Sequence, residues 1–187
     1  NPNQSEIWSN MGMCLEDYSL DRARACFKRA RKIDPENGNA WGNEGLLDLQ
    51  MGDPTGCIEK SLTALEYKPD LIAPKHNMGL ANLMLRNWDE GWRLYYETMG
   101  VKHRERRDYG LPEWEGQPGQ VLVYGEQGVG DEIMFASCLE DLSRTNEVIL
   151  DCDSRLEGLF RRSFDFPVYG TRFKTETPIL DEHKPDY

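Results

Sequence analysis

The 187 residues carry a formal net charge of −11, on a chain long enough to bury the core of one domain or of two small ones. That balance argues against a sequence-independent grip on nucleic acid, which rests on clustered Lys and Arg, and no stretch approaches the roughly 20 apolar residues of a membrane-spanning helix. Five cysteines without a C-x-x-C pair and three scattered histidines suggest neither a disulfide framework nor a zinc site, so no metal is expected and a reducing, cytoplasmic setting is the simpler reading.

The first hundred residues repeat. Trp8, Gly12, Ala23, Phe27, Ala30 and Pro35 are followed by Trp41, Gly45, Cys57, Ala64 and Pro69, then by a weaker copy with Lys75, Gly79, Gly91 and Tyr95, a period of 33 to 34 residues. Small residues at Gly12, Ala23, Gly45 and Cys57 let two helices of a hairpin approach, bulky Trp and Phe fill the space between them, and proline ends the second helix. Pro35 precedes Trp41 by six residues and Pro2 precedes Trp8 by the same six, so Pro2 is expected to close an earlier repeat upstream of residue 1.

These positions resemble the tetratricopeptide repeat family over residues 2–100. The resemblance implies an α-helical solenoid of about three helix-turn-helix repeats, at about 5–36, 37–71 and 72–100, whose first helices line a concave face that holds a protein or peptide. Asn10, Asn43 and Asn77 fall at the same place, two residues before each glycine. This amide ladder resembles one in the repeats of O-GlcNAc transferases, which holds an extended peptide; equally, each Asn could simply bond a neighbouring helix. The Lys and Asn clamp that grips chaperone tails in some members of the family is missing, since Ser9, Met13, Gly42 and Leu46 stand at its places.

Residues 101–119 read as a connector, with two prolines and several glycines around EWEG. Its basic run KHRERR at 102–107 could bind an anion or a membrane surface, and reads more simply as the solvated end of the last helix, facing the negative pole of the helix dipole. Trp114 is expected to dock the connector on a neighbour.

From residue 120 the pattern becomes strand then helix. Val121–Tyr124 reads as a strand, Asp131–Ser143 as one helix, Val148–Leu150 as a strand, Leu156–Phe164 as a helix and Pro167–Gly170 as the start of a third strand. This alternation implies parallel strands with crossover helices, and 120–187 reads as the first part of a Rossmann-like α/β domain.

Between the first strand and helix stands YGEQGVGDE, residues 124–132. It is not a Walker loop, because Gly130 is followed by Asp131 and Glu132 and not by Lys and Ser or Thr. A dinucleotide fingerprint starting at Gly128 and Gly130 would place its third glycine on Ile133, and Asp151 or Asp153 would have to hold the ribose.

The stretches GWRLYYETM, PEWEG and VLVYGEQGVGDEIMFASCLEDL resemble bacterial tetratricopeptide proteins that run into a domain related to glycosyltransferase family 9, the ADP-heptose:lipopolysaccharide heptosyltransferases of GT-B architecture. The resemblance implies that Asp131 is the base that deprotonates an acceptor hydroxyl, in a ligand loop of Glu126, Gln127, Gly128, Gly130 and Glu132 where glycines leave room for the ligand. Asp131 would serve equally as a helix cap, and Glu126 and Glu132 could simply be solvated. The nucleotide-sugar donor would sit on a second Rossmann domain, so no cofactor is expected on these residues. The chain as given is expected to bind and not to catalyse; the alternative is an interaction or assembly scaffold whose α/β part is degenerate.

Overall fold

The computed structural model describes residues 2–98, 107–125, 128–172, 174 and 177–187. Glu126, Gln127 and residues 102–106 of the basic run lie outside these, as do residues 99 and 100 at the end of the third repeat. The chain divides into two compact units, Asn1–Met99 and Gly100–Tyr187.

The first unit is three helical hairpins: α1 (Pro2–Leu15) with α2 (Leu20–Ile33), α3 (Gly38–Gln50) with α4 (Pro54–Tyr67), and α5 (Ile72–Met84) with α6 (Trp88–Glu97). Local chemistry sets the ends. Ser19, Asn37 and Asp53 cap α2, α3 and α4 by accepting from the amides of Arg22, Ala40 and Gly56, which satisfies donors the helix cannot. Pro35 and Pro69 each lie two residues past a helix end, where the residue before proline is driven out of the α region. The period extends to the backbone: the turns within the second and third hairpins each contain one left-handed residue, Gly52 (φ 81°) and Arg86 (φ 64°), 34 positions apart.

The expected close approach of helices is present. A Cβ on Gly12 would collide with Cε1 of Phe27, and one on Gly79 would lie 3.0 Å from the amide nitrogen of Tyr95. Ala23, Phe27 and Leu47 form the buried centre, with Leu15 and Leu20 against it. The six-residue spacing of Pro35 and Trp41 also has its cause, for the indole Nε1 donates to the Pro35 carbonyl at 2.8 Å while Arg31 stacks 3.9 Å over the same ring.

The second unit contains a parallel sheet of β1 (Gln120–Tyr124), β2 (Glu147–Asp151) and β3 (Val168–Tyr169), in that order. α7 (Val129–Ala136), α8 (Leu139–Ser143), α9 (Glu157–Ser163) and α10 (Ile179–Glu182) complete it. Side chains alternate between two apolar layers, as period 2 demands. Leu150 packs with Leu139, Leu156 and Phe160 on one face, whereas Leu122 and Ile149 pack with Ile179, Tyr109 and Leu111 on the other. Burial on both faces explains why QVLVY and EVILD read as runs and not as alternations.

One sequence expectation is corrected here. The single helix over 131–143 is broken at Ser137 and Cys138, because the Ser137 hydroxyl donates to the Met134 carbonyl at 2.8 Å and Cys138 N–H to that of Phe135; such short-range bonds compete with the helix ladder. Trp114 is 39% exposed, and its Nε1 closes a local turn onto the Gln117 carbonyl at 2.6 Å.

β1 has a further partner. Its bonds to β2 use Gly119 and Gly125, so Gln120 and Leu122, one residue out of phase, face the opposite edge. There Leu122 N–H donates to the Tyr187 carbonyl at 2.7 Å and Tyr187 N–H to Gln120 at 3.2 Å. One residue bonded in this way to two positions a dipeptide apart is the step of a parallel pair.

Candidate functional site

The amides of the first helices do not form an even row. Asn10 is exposed, Asn43 is half-buried and Asn77 is only 5% exposed. Asn43 Nδ2 donates to the Ser9 hydroxyl, 34 residues earlier, at 3.2 Å, so part of this amide is committed to holding α3 against α1. Asn10 is exposed and Asn43 partly so; Asn77 is packed away, and its main-chain carbonyl accepts from the Cys57 thiol at 3.7 Å.

Beneath this face lie charges that sequence reasoning missed. Glu44 and Asp48, one turn apart on α3, are each 1% exposed. Arg31 pairs with Glu44 at 2.7 Å, while Arg24 pairs with Asp48 at 2.8 Å and Lys60 binds the second oxygen of Asp48. An acidic i, i+4 pair reads from sequence as a solvated stripe. The contrary signal is that Glu44 adjoins Gly45, which must face the helix partner. Burial of these carboxylates is tolerable because each is paired.

In the α/β unit the carboxyl ends of the strands gather the polar groups. Asp151 ends β2, is wholly buried, and has both oxygens occupied: Thr171 donates to Oδ1 through its amide and its hydroxyl at 2.8 Å each, and Arg107 and Tyr109 donate to Oδ2 at 2.7 and 2.5 Å. Burial, then the neighbouring carboxylate, pushes the Tyr109 phenol well above its ordinary range. Arg107 is therefore not a solvated helix end, and Asp151 presents no free oxygen to a ribose. Asp153 is held by Arg155 in a bidentate pair at 2.7 and 3.0 Å, which lowers its carboxyl to about 2.

Glu132 corrects a further expectation. It is not solvated but 8% exposed; its carboxylate pairs with Arg172 and accepts from the Asp153 amide at 2.9 Å. The side chain crosses over Gly125, where a Cβ would collide with Glu132 Cδ, so that glycine is required by packing. Gly128 and Gly130 have no positive φ, and a Cβ on Gly130 would meet open space.

Asp131 is half-buried at the third position of α7. Its Oδ2 accepts from the Gly128 amide at 3.2 Å, one half of a capping box; glycine has no side chain to supply the other half. Asp131 also borders a half-open cavity of about 210 Å³ lined by Val123, Phe135, Ala136, Leu139, Leu150 and Phe160. Beside it Cys152 is buried, and its thiol is pushed up to about 12 by burial and by the surrounding carboxylates. Among the described residues no group of His, Cys, Asp and Glu could hold a metal ion, and no helix is long and apolar enough to cross a membrane.

No family model matches the chain. It is 25% identical over 178 residues to the protein FlbA of Caulobacter vibrioides, covering 88% of this chain and 30% of that one. It is 24% identical over 135 residues to mouse N-alpha-acetyltransferase 16, the NatA auxiliary subunit, covering 72% of this chain and 15% of that one. The chain thus spans less than a third of the length of these curated relatives. Among solved structures, the second repeat domain of Spaghetti (RPAP3), bound to an HSP90 peptide, aligns with a TM-score of 0.48 at 18% identity, over 52% of this chain and 91% of that one.

Proposed function

We propose that the helical hairpins, which are of tetratricopeptide type, form a recognition module for an extended protein segment, and that the α/β unit is the acceptor-side half of a glycosyltransferase. The observation that carries the first part is the placement of Asn10 and Asn43. Asn10 is exposed and Asn43 partly so, on successive first helices, and Ser9 orients the second of them. A side-chain amide has two N–H donors and a carbonyl acceptor, so Asn43 keeps one donor and its acceptor after bonding Ser9, the pair that a peptide bond needs. The contact set narrows to these two, since Asn77 is enclosed. A chaperone tail is not the ligand proposed, because Ser9 is buried and Gly42 has no side chain where a clamp would need charge.

Asp131 supports the transfer reading as a half-exposed carboxylate beside open space at Gly130. A carboxylate so placed can take the proton of an attacking hydroxyl. The nucleotide-sugar donor would be held by residues other than those described. The second reading, an interaction scaffold without catalysis, is favoured by the bond that turns Asp131 back onto Gly128.

Calorimetric titration of the full-length protein with nucleotide sugars separates the two. Saturable binding, with turnover lost in Asp131→Asn, is the expected result. Absence of binding, with cellular function intact in Asp131→Asn and lost in the Asn10→Ala, Asn43→Ala double variant, would establish the scaffold.

A further inference from the structure

The chain runs outward from β1 to β2 to β3, then returns so that Tyr187 pairs in parallel with the opposite edge of β1. The sheet is β1, β2 and β3 in order, and Asp186 and Tyr187 bond along the other edge of β1. In open parallel sheets ligands bind in the crevice beyond the carboxyl ends of the strands. The cavity bordered by Asp131 opens at the carboxyl end of β1, beside Tyr124 and Gly125.

Its chemistry restricts what enters. The walls are side chains such as Val123, Leu150 and Phe160, and no Lys, Arg or His among the described residues lines it. Glu132 is neutralised by Arg172, which leaves Asp131 as the one lining carboxylate without an ion pair among the described residues. At about 210 Å³ the space exceeds the ~150 Å³ apolar cavity known to admit benzene. A phosphate or carboxylate would meet apolar walls and a like charge; an ammonium would meet a carboxylate.

We propose that this cavity binds a small amphipathic cation: a ring-sized apolar group lies against Phe160 and Leu150, and its ammonium pairs with Asp131. The site requires only equilibrium binding, so it stands apart from the transfer reading. A failed nucleotide-sugar titration leaves it untouched.

Benzylammonium is the probe, with benzyl alcohol and phenylacetate as its neutral and anionic counterparts, measured by ligand-observed NMR on the protein. Benzylammonium is expected to bind at least about tenfold more tightly than phenylacetate. Asp131→Asn should reduce benzylammonium to the level of benzyl alcohol and leave benzyl alcohol unchanged. Ala136→Leu, which fills the cavity, should abolish both. Equal binding of the anion, no binding of any probe to the folded protein, or unaltered benzylammonium binding in Asp131→Asn would overturn the assignment. Should Ala136→Leu fail to fold, the response of Asp131→Asn to the three probes decides alone.

Discussion

The two units bury charge in different ways. In the helical hairpins, the partners of the buried carboxylates of α3 stand on the helices adjacent in the chain: Asp48 is held from α2 and α4, and Glu44 from α2. In the α/β unit two of the three come from afar, for Arg107 reaches Asp151 across 44 residues and Arg172 reaches Glu132 across 40, while Asp153 is held by its near neighbour Arg155. A solenoid is stabilised repeat by repeat through neighbours, whereas this sheet is closed at its carboxyl ends by ties that no single segment contains. Damage should therefore stay local in the first unit and spread in the second.

The strongest test is Asp151→Ala. It strands Arg107, Tyr109 and Thr171 together, and removing one partner of a buried pair costs about 3–5 kcal/mol. Hydrogen exchange should show protection lost at 107–111, β2 and 171–174 at once. Gly12→Val is the counterpart in the first unit, forcing a side chain against Phe27 at a cost of about 1–3 kcal/mol. Exchange should quicken in α1 and α2 and leave α5 and α6 as they were; faster exchange throughout 2–98 would refute local damage. A smaller effect, of opposite sign, is expected of Arg86→Gly. Relief of a left-handed non-glycine residue exceeds the added chain entropy by about 0.5–1 kcal/mol, read as a higher denaturant midpoint.

The smallest effect is in pH. Asp153 falls from an ordinary 3.8 to about 2 in the folded chain. Because the folded value is the lower, its stabilisation is fully present above about pH 4 and disappears as pH drops toward 2. Arg155→Ala should flatten that acid limb in a pH series of unfolding midpoints; an unchanged limb would deny the pair any role.

What could be read beforehand follows the same division. Trp41, Pro35 and the small residues were legible because each acts within one period. Glu44 and Asp48 were not, since an acidic pair a turn apart looks solvated until the packing of Gly45 is considered. Likewise the strands were legible as apolar runs, but Glu132 gave no sign that it would fold back over Gly125 to meet Arg172. Asp131 was placed correctly in the first turn of α7. The cavity beside it was not foreseeable, since it depends on how β1, β2, α7 and α9 meet. Nor was the pairing of Tyr187 with β1, because KPDY contains no apolar run.

The pairing of Glu132, Asp151 and Asp153 with arginines has a consequence for ionic strength. A chain of net charge −11 would be expected to draw cations from a distance and to lose them steeply as salt is added. At the carboxyl end of this sheet the described acids Glu132, Asp151 and Asp153 are each paired within contact distance, shorter than the roughly 8 Å over which physiological salt screens. Among the described acids there, Asp131 is the one lining the cavity that has no ion pair, and to the extent that it alone holds the cation the affinity should fall with salt only gently.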